Sequence, residues 1–176
     1  MKKRTFLGIL ASFAGFWLLF PFSKVTSLFN RLKVRPLSDH ELRTAALIAE
    51  YIYPEDSEPG ASALDIDTYC ANQSATLYFR RYIPSLQRVT AYLDAACRKA
   101  GQSGFPAMHP EDRAVLVDLI ASGKADLRCP GIQKDFFAII DMTIEGCFSD
   151  PLHGGNRDAR AWQILDGTFK KDWMYV

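Results

Sequence analysis

Between Ser38 and Cys147 the apolar residues recur every three or four positions, and no run alternates with period two for long enough to read as a strand. Pro and Gly interrupt the pattern at intervals, and no internal repeat is visible. This predicts an all-α fold, a compact bundle of about five or six helices. Ser38 and Glu41 have the spacing of a capping box, and Leu42, Ala45, Ala46, Ala49, Ile52 and Tyr53 continue a first helix that Pro54 stops. An acidic loop from Glu55 to Gly60 follows, then a shorter helix from near Ser62 carrying Leu64, Ile66, Tyr69 and Cys70. Residues 75–100 are again helical in pattern, with a break or kink at Pro84, a new helix starting near it, and a buried stripe of Leu86, Val89, Leu93 and Ala96 closed by Gly101. Pro110-Glu111-Asp112 opens the next helix, with acids at its positive end. A last strong helix spans about Gln133 to Cys147.

The chain of 176 residues has room for one such domain. Ahead of it, Phe6 to Phe22 form an uncharged stretch of 17 residues behind Lys2-Lys3-Arg4. A basic start followed by an apolar run is the order of a secretory signal. The run is also at the lower limit for a membrane span. No small-x-small cleavage site follows, so a cleaved signal and an uncleaved anchor both stay open. A buried helix of a soluble protein fits less well, because Phe13, Phe16, Trp17 and Phe20 leave no polar face. Lys3-Arg4-Thr5-Phe6-Leu7 resembles a twin-arginine export signal with Lys in place of the first arginine; Lys3, Arg4, Phe6 and Leu7 carry the match. The expected organisation is a signal or anchor over residues 1–35 and a helical domain over 36–176.

Charge supports this division. Residues 1–35 hold seven basic side chains and no acid, whereas the rest of the chain holds 14 basic and 20 acidic ones. An acidic body argues against nucleic acid as a partner, since phosphate binding needs a basic face.

The residues that could carry chemistry are sparse. His40, His109 and His153 form no paired metal-ligand motif, and there is no Gly-rich phosphate loop or C-x-x-C-H haem motif. No catalytic, cofactor-binding or metal-binding residue is therefore assigned. Cys70, Cys97, Cys129 and Cys147 are all more than fifteen residues apart. In an exported chain they allow three pairings into two disulfides; the alternative is buried free thiols acting as small apolar residues.

The most unusual segment runs from Thr143 to Trp162. A helix of bulky apolar residues stops at Gly146, an Asp150-Pro151 turn follows, and Gly154-Gly155 permits backbone conformations closed to other residues. Asn156 and Asp158 can cap a short helix carrying Trp162. The segment reads either as a partner-binding loop or as a turn that packs Trp162 over the last helix.

Glu145-Gly146-x-Phe148-Ser149-Asp150-Pro151-x-x-Gly154-Gly155-Asn156-Arg157-Asp158, followed by Trp162, resembles the signature of the gluconate 2-dehydrogenase subunit 3 family. Tyr53-Pro54, Pro59-Gly60-Ala61 and Tyr69 follow the family's order upstream. Two positions depart from it: His153 stands where the family usually has Tyr, and Ile164-Leu165-Asp166-Gly167-Thr168-Phe169 lacks the family's Pro-Gly.

The resemblance implies a non-catalytic accessory subunit, periplasmic or at the outer face of the inner membrane. Its implied partners are a large flavoprotein subunit of the GMC type, which holds FAD, and a cytochrome c subunit, which holds haem c. The implied role is assembly and twin-arginine export of the catalytic subunit. Ser149, Asp150, Pro151, His153, Gly154, Gly155, Asn156, Arg157 and Trp162 are the expected partner-binding residues. Two other classes of function stay in view: a membrane-anchored binding module using the Gly-Gly loop, and a hydrolase using Asp150 and His153.

Overall fold

The computed structural model describes residues 35–164. The chain divides into two units between Arg35 and Pro36, and the second unit carries every helix described. The apolar segment, the motif around Lys3 and Arg4, and the tail beyond Ile164 lie outside the described residues. Among the described residues no helix is long and apolar enough to cross a membrane.

Six α-helices and five short 3-10 segments make up these residues, with no strand. Helix α1 is Asp39–Ile52, and its capping box is complete: Ser38 Oγ accepts from the Glu41 N–H, and Glu41 Oε2 accepts from the Ser38 N–H at 2.8 Å. Helix α2, Ile66–Gln73, starts later than Ser62 because residues 61–65 turn tightly and Asp65 takes a left-handed conformation (φ 60°). The break at Pro84 is present, but upstream of it only Phe79–Arg81 is helical, as a 3-10 turn. As expected, a new helix starts there: Pro84 occupies the first turn of α3, Ile83–Lys99, where its missing N–H costs no hydrogen bond. Gly101 (φ 74°) ends α3: Gln102 N–H reaches the Cys97 carbonyl at 2.9 Å and Gly101 N–H that of Arg98 at 3.2 Å, the paired bonds of a Schellman motif. Helices α4, Pro110–Ala121, and α5, Ile132–Phe148, follow, then the short α6, Arg160–Ile164.

Helix α5 is the centre of the bundle and packs against α3, α1, α4, α2 and α6. Ile132, Phe136, Ile139, Met142, Gly146 and Cys147 form its buried face, at the spacing that puts side chains on one side of a helix. On α3 the buried stripe is Leu86, Val89, Leu93 and Cys97, so it passes through Cys97 rather than the expected Ala96. Polar cross-links tie the layers together. Asp135 on α5 accepts from Ser85 Oγ at 2.9 Å and pairs with Arg88 at 2.8 Å, both on α3. Asp94 on α3 accepts from the Phe105 N–H and lies 2.8 Å from the His40 ring of α1.

The sequence leaves two disulfides and free thiols both open, and in this structure all four cysteines are free. Cys70 lies against Met142 and Cys97 against Met108, each filled in by a methionine rather than by another cysteine. Burial pushes the Cys70 and Cys147 thiols up to about 12, which keeps them protonated at neutral pH.

Candidate docking site

Gly146 does not stop α5 as the sequence suggests; it lies inside the helix, which runs on to Phe148. Its missing side chain makes room on one side for Ile66 and Tyr69 of α2, whose side-chain carbons would lie 2.8 Å from a β-carbon. On the other side the chain returns over it. A β-carbon on Gly155 would overlap the Gly146 carbonyl oxygen and stand 3.0 Å from its carbonyl carbon. Gly154 (φ 99°) packs in the same way on α2, where a β-carbon would meet Thr68 at 3.2 Å. The two glycines thus let the backbone pack closely on the protein's own helices.

Asn156 is fully buried and completes the closure. Its Nδ2 donates to the Ser149 carbonyl at 3.0 Å and its Oδ1 accepts from the Ala161 N–H at 2.9 Å, so one side chain holds both ends of the loop. Asn156, Asp158 and Ala159 all have positive φ, a costly run for non-glycine residues that these bonds hold in place. Trp162, half-buried, donates from Nε1 to the Phe148 carbonyl at 2.9 Å and caps the last turn of α5. Arg157 pairs with Asp65, and its N–H points at the Leu64 carbonyl. Asp150 accepts from the Leu152 N–H at 2.9 Å, which makes the Asp-Pro turn a capped 3-10 segment. That carboxylate is occupied as a cap, and among the described residues no bond joins it to the His153 ring.

What the segment shows to solvent is different. Leu152, His153, Arg157 and Asp158 are exposed, and Ser149 and Asp150 line a cleft of about 540 Å³ with Tyr69, Gln73, Thr76, Tyr78, His153 and Glu145. Glu145 is the wall of this cleft and gathers a cluster that the sequence reading missed. Its Oε1 accepts from Tyr78 Oη at 2.8 Å, from Tyr82 Oη at 2.7 Å and from Arg81 Nη2. The Arg81 guanidinium lies over both rings, 4.0 Å from the Tyr78 centroid and 4.6 Å from that of Tyr82. Hydrogen bonding to Glu145 raises the Tyr78 hydroxyl, and burial raises Tyr82, so both stay protonated donors. The three partners come from the 3-10 turn before Pro84, more than sixty residues away in sequence. Only the aromatic-basic run Tyr78-Phe79-Arg80-Arg81-Tyr82 hinted at them.

The family model described as Gluconate 2-dehydrogenase subunit 3 matches residues 39–167, from the first turn of α1 past the end of α6. The chain belongs to the gluconate 2-dehydrogenase subunit 3 family. No curated protein and no solved structure matches it. The subunit 3 match contains the whole Glu145–Trp162 segment together with Tyr78, Arg81 and Tyr82. A subunit 3 chain is by its family's name one part of a dehydrogenase complex. The arrangement here can serve such a part in two ways: Gly146, Gly155 and Asn156 hold the fold, and Glu145 with its three donors holds a surface rigid.

Proposed function

We propose that this chain is the small accessory subunit of a membrane-associated, FAD-dependent dehydrogenase of the gluconate 2-dehydrogenase kind. It binds the large GMC-type flavoprotein subunit and supports its assembly and its export to the periplasmic side of the inner membrane. FAD belongs to the large subunit and haem c to a cytochrome c subunit; oxidation of the sugar, polyol or sugar acid takes place there, not on this chain. The family match over residues 39–167 is the observation that carries this reading. Supporting it, the unusual segment uses its buried half for closure and leaves Leu152, His153 and Arg157 facing outward.

The export role rests on the Lys3-Arg4-Thr5-Phe6-Leu7 motif. The test is dye-linked dehydrogenase activity in the periplasmic fraction of cells producing the catalytic subunit with and without this chain. Activity that needs the chain, and is lost when Lys3 and Arg4 are replaced by Gln, supports the proposal. Equal periplasmic activity without the chain contradicts it.

A further inference from the structure

Exposed apolar side chains accompany the Glu145 cluster. Of the seven large hydrophobic side chains exposed among the described residues, Tyr78 bonds to Glu145, Leu77 precedes it in the chain, Phe137 and Ile144 are on α5 with Glu145, and Leu152 is next to His153 of the first cleft; Val115 and Leu127 lie elsewhere. Phe137, Asp141 and Ile144 follow one another at intervals of four and three on α5, so they share its outer face. Asp141 and Ile144 line a second cleft with Arg81, Tyr82 and Ala138, and Glu145 lines both this cleft and the first. With Tyr78 lining the first cleft, Arg81 the second and Glu145 both, the three bonded side chains form the ridge that the clefts share.

The ridge is fixed before anything binds. Three donors converge on the single oxygen Oε1, and Arg81 is sandwiched by aromatic rings, so its half-exposed side chain is held in one orientation. All of its protein hydrogen bonds run through Nη2, to Tyr78, Tyr82 and Glu145. The Nε and Nη1 donors have no partner among the described residues. A guanidinium held this way loses little freedom on binding, and Arg and Tyr are the residue types that dominate interface energies. The complement of this ridge is an acceptor, a carboxylate or a row of backbone carbonyls, flanked by apolar side chains that cover Ile144, Leu77 and Phe137.

We infer that the Tyr78–Arg81–Glu145 ridge with Ile144 is the docking surface for the catalytic subunit, which presents to it an apolar segment bearing an acceptor for Arg81. This rests on the accessory-subunit reading and names the face that reading uses. The test is recovery of the catalytic subunit, co-expressed with the full-length tagged chain, for wild type and for Arg81→Glu, Ile144→Asp, Phe137→Asp and Val115→Asp. Arg81→Glu and Ile144→Asp should each lower recovery by about tenfold or more. Phe137→Asp, farther along α5 from Glu145 than Ile144, should lower it less, and Val115→Asp on α4 should leave it unchanged. Circular dichroism and melting of the purified variants check folding, and the Phe137→Asp result stands in for either stronger variant that does not fold. Wild-type recovery from Arg81→Glu and Ile144→Asp overturns the inference and leaves the accessory-subunit reading intact. Equal loss from Val115→Asp overturns it too, as does a face that only joins two copies of this chain, seen as a dimer that Ile144→Asp dissociates without change in recovery. No recovery with the wild-type chain removes the reading itself.

Discussion

Gly155 lies with its backbone directly on that of Gly146, so close that a β-carbon on Gly155 would overlap the Gly146 carbonyl oxygen. This contact sets the path of the whole returning segment, and it accounts for two glycines nine positions apart in the signature. Because the obstacle is backbone, it cannot rotate away. Gly155→Ala should destabilise the protein by about 1–3 kcal/mol or more, read as a drop in melting temperature. Gly146→Ala should lose less, because its neighbours are the side chains of Ile66 and Tyr69 and because Ala gains about 1 kcal/mol over Gly within a helix. An equal or reversed order of the two variants would contradict the geometry.

Asn156 should be the least replaceable polar residue of the segment. Asn156→Ala leaves the Ala161 N–H and the Ser149 carbonyl without their partner in a buried place, at about 1–3 kcal/mol for each group left unsatisfied. Asn156→Asp should be no better, since it turns the Nδ2 donor into an oxygen facing the Ser149 carbonyl. Chemical denaturation of both variants against wild type measures this; an Asp variant as stable as wild type would refute the assignment of the amide.

Arg157 and Trp162 separate along the same lines. The Arg157–Asp65 pair is half exposed on the arginine side, and such pairs contribute about 0–1 kcal/mol. Arg157→Ala should therefore melt within a few degrees of wild type. Trp162→Phe loses the bond to the Phe148 carbonyl and should cost about 1 kcal/mol; Trp162→Ala loses packing as well and should cost more. Loss of the fold on Arg157→Ala would show that the ion pair matters far more than its exposure allows.

The thiols give a chemical check on the cysteines. Cys70, Cys97 and Cys147 are buried and Cys129 is partly exposed. Iodoacetamide applied to the native protein should modify Cys129 first, with all four reacting only after denaturation, as mass spectrometry of the intact chain and its peptides would show. Thiols that need a reductant before they react after denaturation would establish disulfides instead.

The helices were legible because their signals are local. Ser38 and Glu41 announce α1, Pro84 places the start of α3, and Gly101 ends it, each acting on backbone groups within a few residues. Gly146 was misread for the same reason: a glycine near the end of an apolar run looks like a stop, and its real cause is Ile66 and Tyr69, about eighty residues earlier. The signature segment could be found from its residues, but which of them face inward could not. Glu145 depends on Tyr78, Arg81 and Tyr82, whose separation in sequence carries no periodic signal.

As a subunit 3 chain, this protein is expected to exist as one part of a dehydrogenase complex. The most direct test of this is size-exclusion chromatography, with absorbance spectra, of the full-length tagged chain purified from cells that also produce the flavoprotein catalytic subunit. The account predicts that the two chains elute together in fixed proportion, with the flavin absorbance travelling with the complex and absent from the small chain once the two are separated. A small chain that elutes alone, while the catalytic subunit is soluble and flavin-loaded in the same lysate, would contradict it.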